Sequence, residues 1–305
     1  MAEFKATNFV NMIGTLSKKK AEFKTSKTGK EYGKVDLWLK VSENEIHNVS
    51  FMQMKYNVDK TTNQQVLNPR YTALQTIANE YLSLEDCKNQ GLDLSNADVV
   101  SVSGNLDVDN YVSKATGEVV STTKIKGFNA SRVDNKENAE MKAEFRVHGM
   151  LKKKMELYNQ NGDLDGVKIS LAVPMYNKVE MMDFVIRDEQ GCDWIMTETE
   201  VEVNTALFVG GRAVNEAITV EVEATSGWGA KVSRAKTTYK NELEITGVEL
   251  MEEIEDETHP LSLTFINNGL EKRSIMLTEL ASTQQSIPTV SGFGGTQINK
   301  DTIPF

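Results

Sequence analysis

"GTLSKKKAEF" (14–23) and "GMLKKKMELY" (149–158) are one segment written twice, 135 residues apart. Two more blocks repeat in the same order. "VDLWLKV" (35–41) aligns with "VKISLAV" (167–173) at an offset of 132, and "NEIHNVSF" (44–51) with "NKVEMMDF" (177–184) at 133. Offsets that drift so little mark one unit used twice with a shortened loop, and a period this long excludes a solenoid. A chain of 305 residues also has the length of two domains. The polar stretch "DNKENAEM" (134–141) reads as the joint between them.

Each copy reads as mainly β. Val35, Leu37, Leu39 and Val41 alternate with Asp36, Trp38 and Lys40, a period of two with one buried face. "DVVSVSGNLDVDNYV" (98–112) and "TGEVVSTTKIKGF" (116–128) are strand-like, with a turn around 113–118. Before them, "RYTALQTIANEYLSLED" (70–86) sets Leu74, Ile77, Ala78 and Tyr81 on one helical face. Three strands, a helix and two strands is the order of a five-stranded Greek-key OB barrel. The expected fold is therefore mainly β, two tandem OB-fold barrels with a short helix and a flexible C-terminal tail. The second copy continues with "EAITVEVEA" (216–224) and "NELEITGVEL" (241–250), and its helix is not evident. Expected domains are 1–133 and 142–250. In the extension 251–281, "LSLTFINNGLEKRSIMLTEL" (261–280) reads as strand then helix; the Ser/Thr/Gly/Gln-rich 282–305 reads as a disordered tail.

The net charge of −10 argues at first against nucleic acid, but its layout matters more than its total. Residues 1–40 hold nine Lys against four acids, whereas "ELMEEIEDET" (249–258) holds six acids and no base. Binding to a polyanion must then come from a local groove. No apolar run approaches the roughly 18 residues of a membrane span, and "MAEFKATNFVNMIG" (1–14) has no secretory n-region and h-region. Cys87 and Cys192 form neither a disulfide framework nor a CxxC pair, so a reducing cytoplasmic setting is expected.

Trp38 falls between buried neighbours and so points outward with Asp36 and Lys40, either as a stacking platform for a base or beneath a covering loop or subunit. Around it, Lys18, Lys19, Lys20, Lys24, Lys27, Lys30 and Lys34 interleave with Phe23 and Tyr32. Lysines with aromatics between them suit a groove that tracks phosphates and stacks bases; a solvated basic hairpin is the plain alternative. Tyr111 is a further stacking candidate. The second copy keeps Lys152, Lys153, Lys154 and Tyr158 but has Ser170 where the first has Trp38, so the first copy is expected to carry more of the binding. "NGDLDG" (161–166) opens like a calcium loop, yet the required Glu is Ala172, and a hairpin turn is the better reading. Asp107 and Asp109 share a strand face without a third acid of defined spacing, and the three histidines are scattered. No catalytic, metal or cofactor site is expected.

These pieces together resemble the single-stranded DNA-binding (SSB) protein family of bacteria and their phages. "EIHNVSF" (45–51) is similar to that family's third-strand Glu-x-His-x-Val pattern, and "VSVSGNLDVDNYVSKATGE" (100–118) to its fourth strand and turn. The ending "DTIPF" (301–305) resembles the family's tail of acids followed by Ile-Pro-Phe. The resemblance implies sequence-tolerant coating of single-stranded DNA, with Asp301, Ile303, Pro304 and Phe305 recruiting replication, recombination and repair proteins. It also leaves an oligomer open. Departures are visible: two barrels per chain, Ile46 where the family has an aromatic, and a single acid preceded by Lys300. The tandem form implies a phage-type member acting in the host cytoplasm. The rival expectations are an OB-fold protein-interaction module of a replication complex that does not touch DNA, and a nuclease built on Asp107 and Asp109.

Overall fold

The computed structural model describes residues 5–223, 233–252 and 254–285. Its first half runs β1 (Asn8–Thr25), β2 (Glu31–Lys40), β3 (Ile46–Met54), a short ribbon of β4 (Tyr56–Val58) and β5 (Gln65–Leu67), α1 (Pro69–Glu80), α2 (Leu84–Gln90), β6 (Val99–Val112) and β7 (Val119–Arg132). The second half runs β8 (Lys142–Tyr158), β9 (Leu164–Met175), β10 (Lys178–Ile186), α3 (Glu189–Thr197), β11 (Ala206–Glu223), β12 (Ser233–Leu250) and α4 (Leu263–Gln285). The joint at 134–141 contains only a 3-10 turn, Lys136–Asn138.

Both halves close in the same way. In the first the strand order is β1-β2-β3-β7-β6, and β6 returns to pair with β1; β3 and β7 are parallel and the other pairs antiparallel. The second repeats it as β8-β9-β10-β12-β11, closed by β11 on β8, with β10 and β12 parallel. This is the five-stranded Greek-key OB topology, twice. The period-two pattern explains the interior: Val35, Leu37, Leu39, Ile169 and Leu171 are fully buried. One apolar cluster runs through both barrels and takes in Leu74, Ile77 and Tyr81 from the first-copy helix.

The repeats share their irregularities as well. β1 is bulged between Leu16 and Lys18, and β8 between Leu151 and Lys153. Further bulges lie opposite Ser103/Gly104 of β6, where Phe128 of β7 is the extra residue, and opposite Gly210/Gly211 of β11, where Thr246 of β12 is. At these a Cβ on Gly104 would sit 2.3 Å from the Lys126 carbonyl oxygen, and one on Gly211 2.0 Å from that of Glu244. Only glycine lets the backbones approach so closely.

The barrels are joined edge to edge. β1 pairs antiparallel with β8 from Asn8↔Val147 to Ile13↔Lys142. A cluster of charged and polar groups ties the halves together nearby. Lys178 bonds Asp107 at 2.8 Å and Glu180 at 3.2 Å, Lys126 also pairs with Asp107, and Arg273 of α4 donates to Glu180 at 2.7 Å. Asn110 and Ser121 complete it. Asp107 is 3% exposed and Glu180 2%, so the partners are what make these charges tolerable.

Three expectations change. The helix missing from the second-copy reading is α3, N-capped by Asp188, whose Oδ2 accepts the Gly191 N–H at 2.8 Å. β11 begins ten residues before the anticipated 216, at Ala206. No strand forms at 261–265: Leu261 is buried, and Ser262 Oγ accepts the Phe265 N–H at 3.1 Å to open α4, which runs on to Gln285. The remaining expected tail, 286–305, lies outside the described residues.

Substituting Ala at Gly104 or Gly211 should lower stability by about 1–3 kcal/mol by overpacking a bulge. Urea denaturation measures this, and wild-type midpoints would show that the bulge tolerates a Cβ.

Candidate nucleic-acid interface

The outer face of the first barrel is set by register. Lys18 lies opposite Trp38, Lys20 opposite Asp36 and Lys24 opposite Tyr32 across β1 and β2; Asn48, Ser50 and Met52 face Trp38, Asp36 and Lys34 across β2 and β3. Ser50 then partners Lys126 of β7. The strands curve around a groove of about 680 Å³, lined by Lys34, Asp36, Trp38, Asn48, Met52 and Met54 on one side and Lys124, Lys126 and Asp109 on the other. Trp38 is half-buried there, with its core-facing neighbours Leu37 and Leu39 at 0% exposure. Lys124 and Lys126 were missed from sequence, although "TTKIKGF" (122–128) carries them alternating with buried Ile125.

The lysines of this face are already engaged. Lys34 pairs with Asp36 at 3.1 Å, Lys18 with Glu85 at 3.2 Å, and Lys20 and Lys24 share Glu22 at 2.9 and 2.6 Å. Hydrogen bonds from Lys24 and then Lys20 push the Glu22 carboxyl down to about 2, and Glu22 in turn raises Lys24. Lys124 pairs with Asp109 and Lys126 with Asp107. Among the described residues Lys27 and Lys30, at the β1–β2 hairpin tip, have no ion pair, nor does half-buried Lys40. Tyr32 lies on the groove side of β2, opposite Met54, and Tyr111 is exposed on the β6–β7 hairpin.

Two first-barrel residues assigned to the groove from sequence sit elsewhere. The Lys19 ammonium is only 16% exposed and donates to the Ala78 carbonyl at 2.8 Å and to the Tyr81 carbonyl, with Asp86 at 3.6 Å. It closes the C-terminus of α1, where unpaired carbonyls favour a cation. Phe23 faces the opposite side of the sheet from Trp38: it stands edge-on to Tyr71 of α1 at 5.5 Å and lies over Gly33.

The second barrel shows what the repeated lysines are for. Lys154, the counterpart of Lys19, donates to the Ile195 carbonyl near the end of α3 at 2.7 Å. Lys152 reaches Asn204 at 2.7 Å and Asn267 of α4 at 3.2 Å, and burial lowers its pKa. Lys153 is exposed opposite Ser170, the position of Trp38 in the first copy. Tyr158 is exposed and donates to Glu156 at 2.5 Å. The 159–163 segment is a hairpin turn held by the Asn159 side chain, and the described residues contain no cluster of three metal-ligating side chains. Asp301, Ile303, Pro304 and Phe305 lie outside the described residues.

Topology and groove define a protein of the OB-fold class with two barrels and a lysine-lined aromatic face on the first. The chain belongs to the YorF family, whose model matches residues 6–283. No curated protein sequence matches it. Among solved structures, a deletion variant of the single-stranded DNA-binding protein from Thermus aquaticus superposes with a TM-score of 0.51 at 16% identity, covering 84% of this chain and 98% of that one. The wild-type Thermus aquaticus protein gives 0.49 at 15%, covering 83% and 97%. The likeness is one of fold. No helix among the described residues is long and apolar enough to cross a membrane.

Replacing Lys19 or Lys154 with Met should cost about 1–2 kcal/mol by leaving helix-end carbonyls without their cation. Chemical denaturation checks it, and unchanged midpoints would return these lysines to the surface. Acid should also loosen the barrel joint. Burial raises the Asp107 pKa, but Lys126 and Lys178 outweigh it and hold the carboxyl below its usual value. A group depressed on folding contributes stability above its unfolded pKa of about 4 and loses it as pH falls through the folded value. The urea midpoint should fall below about pH 4, with a shallower acid limb in Asp107→Asn; an identical limb would rule out this carboxylate as a contributor.

Proposed function

We propose that this chain binds single-stranded DNA with little sequence preference. Trp38 carries the proposal: a half-exposed indole on the floor of a groove whose walls hold Lys34, Lys124 and Lys126. An indole so placed offers a face to any base, and ammonium groups on both sides suit the phosphates of the same strand. The fold likeness to a protein described as single-stranded DNA-binding supports this reading. Phosphates would take over the lysines from Asp36, Asp107 and Asp109, so binding exchanges internal ion pairs for external ones. The net charge of −10 confines the attraction to this groove. We assign the two barrels to domains 1–133 and 142–250, and read the protein as a non-enzymatic, cytoplasmic, phage-type coating protein of replication, recombination or repair. Its terminal Asp301, Ile303, Pro304 and Phe305 would recruit partners. The same ion pairs favour one second reading, a protein-interaction module whose partner packs on Trp38.

Tryptophan fluorescence titrated with poly(dT) and with duplex, at two salt concentrations, separates the readings. Quenching by the single strand alone, reversed by salt, is expected. Trp38→Ala should weaken binding by about 1–3 kcal/mol. Lys34→Met and Lys126→Met should each reduce the log–log salt slope by about 0.7, and Lys19→Met should leave it alone. No response to either nucleic acid would favour the interaction module.

A further inference from the structure

The groove around Trp38 does not end at the first barrel. Asn48 and Lys124 also line a second cleft of about 640 Å³ that lies between the barrels. Its walls are the 121–125 stretch of β7 and, across from it, Lys168 and Asp183 of β9 and β10; residues 213–215 and 241–243 of β11 and β12 close it. The cleft contains Leu106, Ile125, Val185 and Leu243 together with the hydroxyls of Thr122 and Thr123 and the amides of Asn48 and Asn241, and no Phe, Tyr or Trp lines it. Asn241 is exposed and makes no side-chain hydrogen bond among the described residues. Lys168, which pairs with Asp183 at 2.6 Å, stands where the repeat places Asp36 in the first copy, so the cation here is supplied by the second barrel.

Beyond Ser170 the outer face of the second barrel is covered. α4 lies on it, burying Ile266 against Met150, Ala172 and Val179. Gly269 rests on Val179 so closely that a Cβ would be 2.2 Å from its Cγ2. Ala172 and Val179 are the repeat counterparts of Lys40 and Ile46, which in the first barrel are half-buried and exposed. The pair of Arg273 with buried Glu180 fixes the helix in place.

We propose that the bound strand leaves the Trp38 groove past Lys124, enters the inter-barrel cleft and ends at α4. The cleft then forms a second nucleotide subsite that works by different chemistry. Lys124 and Lys168 hold a phosphate, an unpaired base enters over the apolar side chains, and Thr122 and Asn241 hydrogen-bond its edge or sugar. This rests on the single-strand reading of the groove. It assigns the second barrel a partial role, confined to the end of its face that α4 leaves open.

An oligonucleotide length series tests it, with dT of about six nucleotides against dT of about twenty. Lys168→Ala and Asn241→Leu together should weaken the long strand about fivefold to tenfold and leave the short one unchanged. Thr122→Val, which removes only a hydroxyl, guards against a folding defect in the first pair and should weaken the long strand alone. Tyr176→Ser, on the exposed β9–β10 turn outside the cleft, should change neither length. If the cleft variants bind both lengths like wild type while Trp38→Ala weakens both, the path through the cleft is wrong and the groove stands. A loss of long-strand affinity in Tyr176→Ser would show that the strand runs over the second barrel outside the cleft, which also overturns the proposal. Failure of the wild-type protein to bind either length would instead remove the underlying reading.

Discussion

The pairing of β1 with β8 is the constraint on which the arrangement depends. The repeat offset of 135 carries Val10 onto Phe145, and Val10 and Phe145 are Cα partners across that seam. An antiparallel pairing in which a residue meets its own counterpart is the intrachain form of an isologous dimer contact. It satisfies two otherwise open strand edges at once. It also relates the barrels by an internal pseudo-twofold, so that the face bearing Trp38 and the face bearing Ser170 have a fixed relation. The cleft between them exists because of that seam, and the Asp107–Lys178–Glu180–Arg273 cluster holds it to one geometry.

Within this frame, the sheet's period of two divides the work between faces. Odd positions of β2 build the barrel interior and even positions build the groove, so one strand supplies Leu37 and Leu39 to the core and Lys34, Asp36 and Trp38 to the surface. The acids on the groove face keep its lysines paired in the free protein. Such pairs add little stability where they are exposed. Their consequence is electrostatic: the groove is poised, and a polyanion gains only the difference between its phosphates and the carboxylates it replaces.

The repeat and the barrel order were legible because alternation and a rare tripeptide of lysines survive in both copies. Individual lysines were not, since a sequence does not distinguish Lys19, which ends a helix, from Lys20, two residues from Glu22 on the outer face. The two-residue bulge step at Ser17 reverses the faces that simple counting from Leu16 would give. Lys124 and Lys126 join the groove only when β7 pairs with β3, a non-local contact that periodicity within a strand cannot reveal. α3 is hard to read because it is nine residues long with Gly191 inside it, and the start of β11 because "GG" at 210–211 breaks the strand pattern where the fold sets the glycines against a bulge in β12. In α4 the polar pair Asn267–Asn268 and Gly269 mask the apolar contacts; Gly269 is needed there because the helix comes so close to Val179.

The two copies have diverged where the symmetry would otherwise place equivalent sites. At the position of Trp38 the second barrel has Ser170, whose hydroxyl is held by Asp183 at 2.6 Å, and at the position of Lys40 it has Ala172, buried under α4. A long cation in place of Ala172 would obstruct the helix or lose its contact with solvent. Covering one face therefore required removing from it the side chains that the other face still presents. The covering also supplies apolar burial that the second barrel would lack if its outer face stayed polar. Duplication gave the chain two equivalent faces; α4 turns one of them into structural support and leaves the other, with its indole, open.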